Sequence, residues 1–429
     1  MRMAAFLYAV ALLLMPLALK PILHSANIAW VHPTLLLGFL SFVLIKTPMK
    51  DKRALGVVIY AFLSASVGYF FMAVSPDKES SSLYAVYIEP IRLGLYMIWF
   101  WLSVEFLSTR KAFVLRWLAI SATIQLALAG YLYLALYDLV PVPDIVGLYL
   151  NVYKMRQVVW FGDTPVYRMA GTFIESPPFG LFMFSCLVVF ATFLKGGRDV
   201  GPQEETARRW AWLGATVAII GAIASLSDEV LLAVIVFGLS LYFSMRGRAT
   251  KPWMRKSTEI LLGGGLLLGI AAYALPRVIE KWTEAAATKP DEIGTLGEAG
   301  GERMFHTRYG LQLLWDNPLA FFTGIGPGRY GDYVVKTGQY PPDVPIQVTP
   351  VAWLVEYGAF GTVLILSWLW SITKRAQQTH PVLAIGACVG LIIANIAQGG
   401  WQYDVWFLAL AFLYCCAARV EKPRLALPR

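Results

Sequence analysis

The chain has 429 residues, of which 58% are hydrophobic and only 15% charged, and its mean hydropathy is +0.59. A water-soluble domain of that length carries more charge and less hydrocarbon, so that class is excluded. The formal net charge of +9 comes from basic residues clustered between apolar runs, which reads as a membrane-topology signal and speaks against nucleic-acid binding.

Mostly apolar runs long enough to cross a hydrocarbon core of roughly 30 Å fall near residues 4–19, 28–45, 54–74, 84–107, 113–136, 177–194, 209–226, 229–245, 257–275, 351–372, 380–398 and 401–418. They predict an all-α, polytopic bundle of about twelve transmembrane helices, forming a single integral membrane domain over residues 1–429. The first run is followed by Lys20-Pro21 and not by a small-residue cleavage site, so it is expected to be retained as a helix. The four cysteines, Cys186, Cys388, Cys415 and Cys416, all fall inside apolar runs and read as packing residues. His24, His32, His306 and His380 are scattered, with no Cys/His cluster at metal spacing, so neither a metal nor a cofactor is expected.

Orientation follows from the basic residues of the short connections. Lys46, Lys50, Lys52 and Arg53, then Arg110 and Lys111, then Lys195, Arg198, Arg208 and Arg209 lie on alternate connections. Arg246, Arg248, Lys251, Arg255 and Lys256, then Lys374 and Arg375, and finally Arg419, Lys422 and Arg424 continue the series. With twelve spans all of these share one side, which puts both termini in the cytoplasm. Two long connections then face outward, about 137–176 and about 276–350.

Charges inside apolar runs each have two readings. Glu89 and Arg92 are three apart on a predicted helix, which favours a structural ion pair. Asp228 and Glu229 sit near the outer end of a span, where capping the helix and catalysis are equal readings. In the second long connection, Glu302 to Trp315 reads as a short amphipathic helix stopped by Asp316-Asn317-Pro318. Met304, Arg308, Leu311 and Trp315 share one stripe of it, while Arg303 and His306 share another. Such a helix suits a membrane surface, with Arg303 and His306 held toward the mouth of the bundle. The segment "GIGPGRYG" that follows offers glycine amides able to turn toward an anion, with Arg329 beside them. Guanidinium groups bind phosphate through two parallel hydrogen bonds, so an anionic headgroup is the expected ligand. The plainer readings remain beside these: arginines that only pair with lipid phosphates, a Gly-Pro-Gly turn, and a solvated His306.

These residues carry a resemblance. "RMFHTRYGLQLLWDNPLAFFTGIGPGRY" resembles the signature of the O-antigen ligase and O-antigen polymerase family, in which an arginine begins a helix, a proline ends it and G-x-G-x-G follows. Arg303, Pro318, Gly324, Gly326 and Gly328 fall on the matching positions. "RMAGTFIESPPFG" is similar to the family's earlier R-x-x-G-T-F element, with Arg168 and Gly171 matching, and "VAWLVEYGAFG" to its L-x-E-x-G-x-x-G segment, with Glu356, Gly358 and Gly361 matching. The chain departs from the pattern twice, with Gln347 where members usually carry a histidine and Asp228 where they carry an arginine.

The resemblance implies a GT-C-like fold in the bacterial cytoplasmic (inner) membrane. It further implies metal-independent glycosyl transfer, facing the periplasm, from an undecaprenyl-diphosphate-linked oligosaccharide. Membrane lipids, a flippase and a chain-length regulator are the other partners it implies. Arg168, Arg303, Arg308, Arg329, Gly326, Gly328 and Glu356 are then the expected substrate-binding residues. A neutral amide is no base, so with Gln347 in the histidine's place the expected catalytic group falls to His306, Glu175 or Asp228. The replaced histidine favours polymerisation of repeat units over ligation to lipid A core. A lipid-linked sugar transporter and an envelope scaffold are the rival classes. The transporter would show repeat halves with midplane charges, and no internal repeat is evident.

The positive-inside pattern makes a direct prediction. A reporter fused after Arg248 is expected to be cytoplasmic, and one placed within 292–302 extracytoplasmic. Finding both on the same side would remove the large outer connection.

Overall fold

The computed structural model describes residues 2–16, 33–45, 52–74, 83–141, 158–161, 164–169, 176–195, 202–246, 299–334, 346, 348–378, 381–396 and 404–416. In chain order these form α1 (Arg2–Leu14), α2 (Pro33–Ile45), α3 (Lys52–Val74), α4 (Leu83–Thr109) and α5 (Lys111–Leu136). A hairpin of β1 (Val158–Phe161) and β2 (Thr164–Tyr167) follows. Next come α6 (Ser176–Lys195), α7 (Pro202–Ala224), α8 (Asp228–Arg246) and α9 (Ala299–Asp316). The order closes with α10 (Pro318–Thr323), α11 (Tyr330–Val334), α12 (Thr349–Gln377), α13 (Pro381–Asn395) and α14 (Asp404–Cys416). Each predicted apolar run coincides with a helix except 257–275, which lies outside the described residues.

Among the described residues, Lys52–Phe70, Val86–Thr109, Lys111–Leu136, Pro177–Lys195 and Thr349–Gln377 are long and apolar enough to cross a membrane. Shorter apolar helices, α1, α2, α13 and α14, pack with them. Side chains such as Leu40, Leu63, Phe70, Val363 and Trp370 are exposed on the outside of an apolar core, the inside-and-outside hydrophobicity that a lipid solvent requires.

The helix α6 lies at the centre, almost wholly buried. Small residues let its neighbours approach: Gly214 faces the Phe190 ring, Gly221 faces Met183, and Gly180 faces Ser225 and Val230. That register makes α6 and α7 antiparallel and brings the start of α6, the end of α7 and the start of α8 to one end of the bundle. On the other flank, α4 and α14 run side by side through the Tyr96–Phe407, Phe100–Tyr414 and Trp101–Tyr414 ring contacts. Buried polar groups are tied across helices, as where Tyr8 donates to Ser103 at 3.0 Å and the Trp99 indole donates to the Asp404 carbonyl at 3.0 Å.

Among the described residues, the architecture departs from the expected all-α fold at one point. Antiparallel pairing of Val158 with Tyr167 through Phe161 with Thr164 forms a hairpin inside the first long connection. Apart from Pro165, its strand residues are β-branched or aromatic, and Gly162-Asp163 between the strands is a pair suited to a tight turn. The Met169 N–H donates to the Ala224 carbonyl at 3.2 Å, so the chain leaving the hairpin is fastened to the end of α7.

Candidate functional site

The predicted amphipathic helix exists as α9, beginning three residues before Glu302 and ending at Asp316. Pro318 lacks an amide hydrogen and starts a new helix, α10, at its first position, the place where a missing donor costs nothing. Gly324, with φ of +79°, ends α10 and turns the chain into the bundle.

What it meets there is a break in a membrane helix. Gly358 interrupts α12 with φ of +68° and ψ of −177°, freeing carbonyls that an unbroken helix would have satisfied. Two are taken up by the glycine-rich segment: Ile325 N–H donates to the Val355 carbonyl at 2.9 Å and Gly326 N–H to the Glu356 carbonyl at 3.1 Å. The backbones touch at Gly324 and Gly358, where any side chain on either would overlap the other strand. From the far side, α3 clamps the crossing. The Ser64 hydroxyl lies 2.7 Å from the Thr323 carbonyl and 3.0 Å from that of Glu356, and the Tyr60 hydroxyl donates to the Phe322 carbonyl at 3.1 Å.

The glycine amides expected to turn toward an anion have partners within the protein. The N–H of Gly326 is turned inward to the helix break, and that of Gly328 donates to the Glu356 carboxylate, so both serve protein groups and not an external anion. Glu89 packs against Gly328 and lies within electrostatic range of Glu356. Its expected ion pair with Arg92 is present. Arg329, next in the chain, is 1% exposed. Gly326, Gly328, Arg329, Glu356 and Glu89 thus form one charged cluster within an apolar bundle.

Tyr330 follows Arg329 directly and joins α9 to the cluster. Its hydroxyl is 2.9 Å from His306 Nδ1 and 3.3 Å from the His306 carbonyl. His306 is fully buried, not the solvated residue of the plainer reading. Tyr309 stacks on Phe305 and donates to the Tyr333 carbonyl at 3.0 Å. Burial, and then the Asp316 carboxylate, push its phenol above the ordinary value, which keeps that donor protonated. The other faces of α9 and α10 stay exposed at Leu311, Trp315, Leu319, Phe321 and Phe322, as a helix lying on a lipid surface requires. Arg308 is also exposed.

A second group of predicted residues gathers around α6, α7 and α8. Asp228 opens α8 and is 1% exposed; Ser227 precedes it, its carbonyl accepting from Leu231 N–H and its hydroxyl donating to Glu229. Arg168, half-buried, stands beside the Met169 to Ala224 fastening and so reaches the same turn. Thr349 at the start of α12 is fastened to the end of α13 through the Asn395 and Ile396 carbonyls, and Glu356 lies seven residues, about 10 Å, further along α12. Arg303 lies within α9, but its side chain, like Glu175 and Gln347 entirely, is outside the described residues. Sequence reasoning missed Ser64, Tyr330 and Gly68, which lies against the Ile325 carbonyl with no room for a side chain; the spacing of Ser64 and Gly68, four apart on one helical face, was the available signal.

No model of a known protein family matches the chain, and no curated protein is similar to it in sequence.

The crossing yields a stability prediction. Gly358→Ala places a methyl group in the left-handed region and inside the van der Waals shell of Gly324 N and the Phe322 carbonyl, a loss of about 1–3 kcal/mol or more. Gly56→Ala, with open space around it, is the control. The detergent-purified Gly358 variant is expected to melt clearly below wild type and the Gly56 variant not; equal melting temperatures would overturn the crossing.

Proposed function

We propose that this protein is a membrane glycosyltransferase of the O-antigen polymerase and ligase type. In this reading it crosses the inner membrane about twelve times, with both termini cytoplasmic and a GT-C-like bundle. It polymerises repeat units carried on undecaprenyl diphosphate at the periplasmic face. The observation that supports it most is that two of the three stretches bearing the resemblance lie backbone to backbone. "GIGPGR" and "VEYG" are joined by the Ile325 to Val355 and Gly326 to Glu356 hydrogen bonds, although some thirty residues separate them in sequence. The third stretch, carrying Arg168, is fastened to the end of α7 by the Met169 to Ala224 hydrogen bond.

The chemistry asks for cations at a diphosphate leaving group and a proton acceptor at the attacking hydroxyl. An acceptor-sugar oxygen forms its bond to the anomeric carbon as the bond from that carbon to the diphosphate oxygen breaks. The departing electron pair stays on the diphosphate, where Arg303, Arg308, Arg329 and Arg168 are the arginines assigned to stabilise it. The hydroxyl proton passes to a base, assigned to His306 ahead of Glu175 and Asp228. Tyr330 holds Nδ1 of that imidazole, so the proton is taken at Nε2. Glu356 accepts the Gly328 N–H and is assigned to order the cluster. Gln347, in the place of the family's histidine, favours polymerisation over transfer to lipid A core.

Two sets of variants test this with purified protein and lipid-linked donor. Arg303→Ala is expected to abolish transfer while the protein still inserts, and Arg303→Lys to rescue little, because a point charge does not replace a two-pronged donor. Full activity in the Lys variant would reduce the arginine to an anchor for lipid phosphate. Separately, His306→Ala should slow transfer roughly a hundredfold or more, against a loss of only about tenfold or less for Gln347→Ala, the value of one hydrogen bond. If His306→Ala stays near wild type while Glu175→Gln or Asp228→Asn fails, the base is reassigned to that carboxylate.

A further inference from the structure

Asn395 is the polar side chain whose burial the arrangement above leaves unexplained. It ends α13, is 1% exposed, and neither its amide nitrogen nor its amide oxygen has a hydrogen-bond partner among the described residues. Its backbone is firmly held, with the Thr349 hydroxyl donating to the Asn395 carbonyl at 2.7 Å and Thr349 N–H donating to the Ile396 carbonyl at 3.0 Å.

Helix register fixes its neighbourhood. Gly390 of α13 lies against the Ala233 carbonyl of α8, and Gly386 lies against Ser240 and the Val236 carbonyl, so the two helices run antiparallel. Five residues beyond Gly390 is Asn395 and five before Ala233 is Asp228, which brings the two to the same level. Asn395 therefore sits at the end of the bundle shared by Asp228, Thr349 and the chain carrying Arg168.

A group needed only to fill space would be better served by leucine, which has no polar atoms to strip of water. A carboxamide presents both N–H donors and a carbonyl acceptor. Phosphate oxygens accept and would leave the amide oxygen unmatched. Hydroxyl groups both donate and accept, and a neighbouring pair on a sugar ring matches the two ends of the amide at once. We infer that Asn395 contacts the saccharide, binding two sugar hydroxyl groups beside Asp228 while the arginines hold the diphosphate. This rests on the glycosyl-transfer reading and adds to it a residue that distinguishes sugar from lipid diphosphate.

The test compares binding of two probes to detergent-purified protein: undecaprenyl-diphosphate-linked oligosaccharide extracted from the producing strain, and undecaprenyl diphosphate without sugar. Wild type is expected to bind the glycosylated lipid more tightly. Asn395→Leu should lose that preference, with glycosylated-lipid affinity falling about tenfold and bare-lipid affinity unchanged, while melting no lower than wild type. Asn395→Ala, read in the same way, covers the case in which the leucine variant does not fold. If wild type prefers the glycosylated lipid and both variants keep the preference, Asn395 is structural and the inference fails alone. If wild type shows no preference, the saccharide reading of the whole site fails, and the assignment of Asn395 with it.

Discussion

A polypeptide that breaks a helix inside a membrane protein must find new partners for the carbonyls it releases, because lipid offers none. At Gly358 that need is met by amides from a segment some thirty residues earlier, and the rest of the site follows from it. Since Ile325 and Gly326 must reach the break, α10 has to end where it does. Arg329 is then drawn into the bundle and Tyr330 is set beside His306. The glycines at 324 and 358 are what the contact requires, as the two backbones leave no room for a side chain at either.

Apolar helices are legible in a sequence because the bilayer imposes one length and one chemistry on them. The runs at 54–74, 84–107 and 113–136 reappear as α3, α4 and α5 with ends shifted by a few residues. Hydropathy is blind, however, to a change of backbone direction inside an apolar run, so 351–372 gave no sign of the break in α12. The glycine-rich segment was legible as special but its direction was not: a nest of amides facing out and a pair of amides facing in have the same sequence. His306 was singled out for its place beside Arg303, yet its burial depends on Tyr330, twenty-four residues away. The hairpin at Val158–Tyr167 was lost in a connection whose flanks are helical. Asn395 lay unread because one amide at the end of an apolar helix ordinarily marks nothing more than the approach of water.

The bundle keeps two kinds of polar group apart. Serines and threonines of the spans, such as Ser41, Ser121 and Thr373, donate to nearby carbonyls or thiols and are consumed by packing. Charged groups are concentrated where α3, α4, α9, α10 and α12 converge and where α6, α7, α8 and α13 end. Holding acids and arginines in so apolar a frame is costly unless each has a partner, which explains why Glu89 is paired with Arg92 and why the Glu356 carboxylate receives an amide donor.

The clamp of Ser64 on the crossing also orders events during synthesis. Its partners, the carbonyls of Thr323 and Glu356, lie 259 and 292 residues further along the chain. The third helix therefore enters the membrane long before the residues it will hold have been made, and a nascent chain can insert most of its bundle with this region still unassembled. Contacts of such long sequence separation close slowly, so the charged cluster is completed late, as is the still more widely separated contact of Trp99 with Asp404. A chain ending before residue 356 would hold Ser64 and the Thr323 carbonyl but lack the second carbonyl that the same hydroxyl reaches, so the crossing would be left half closed.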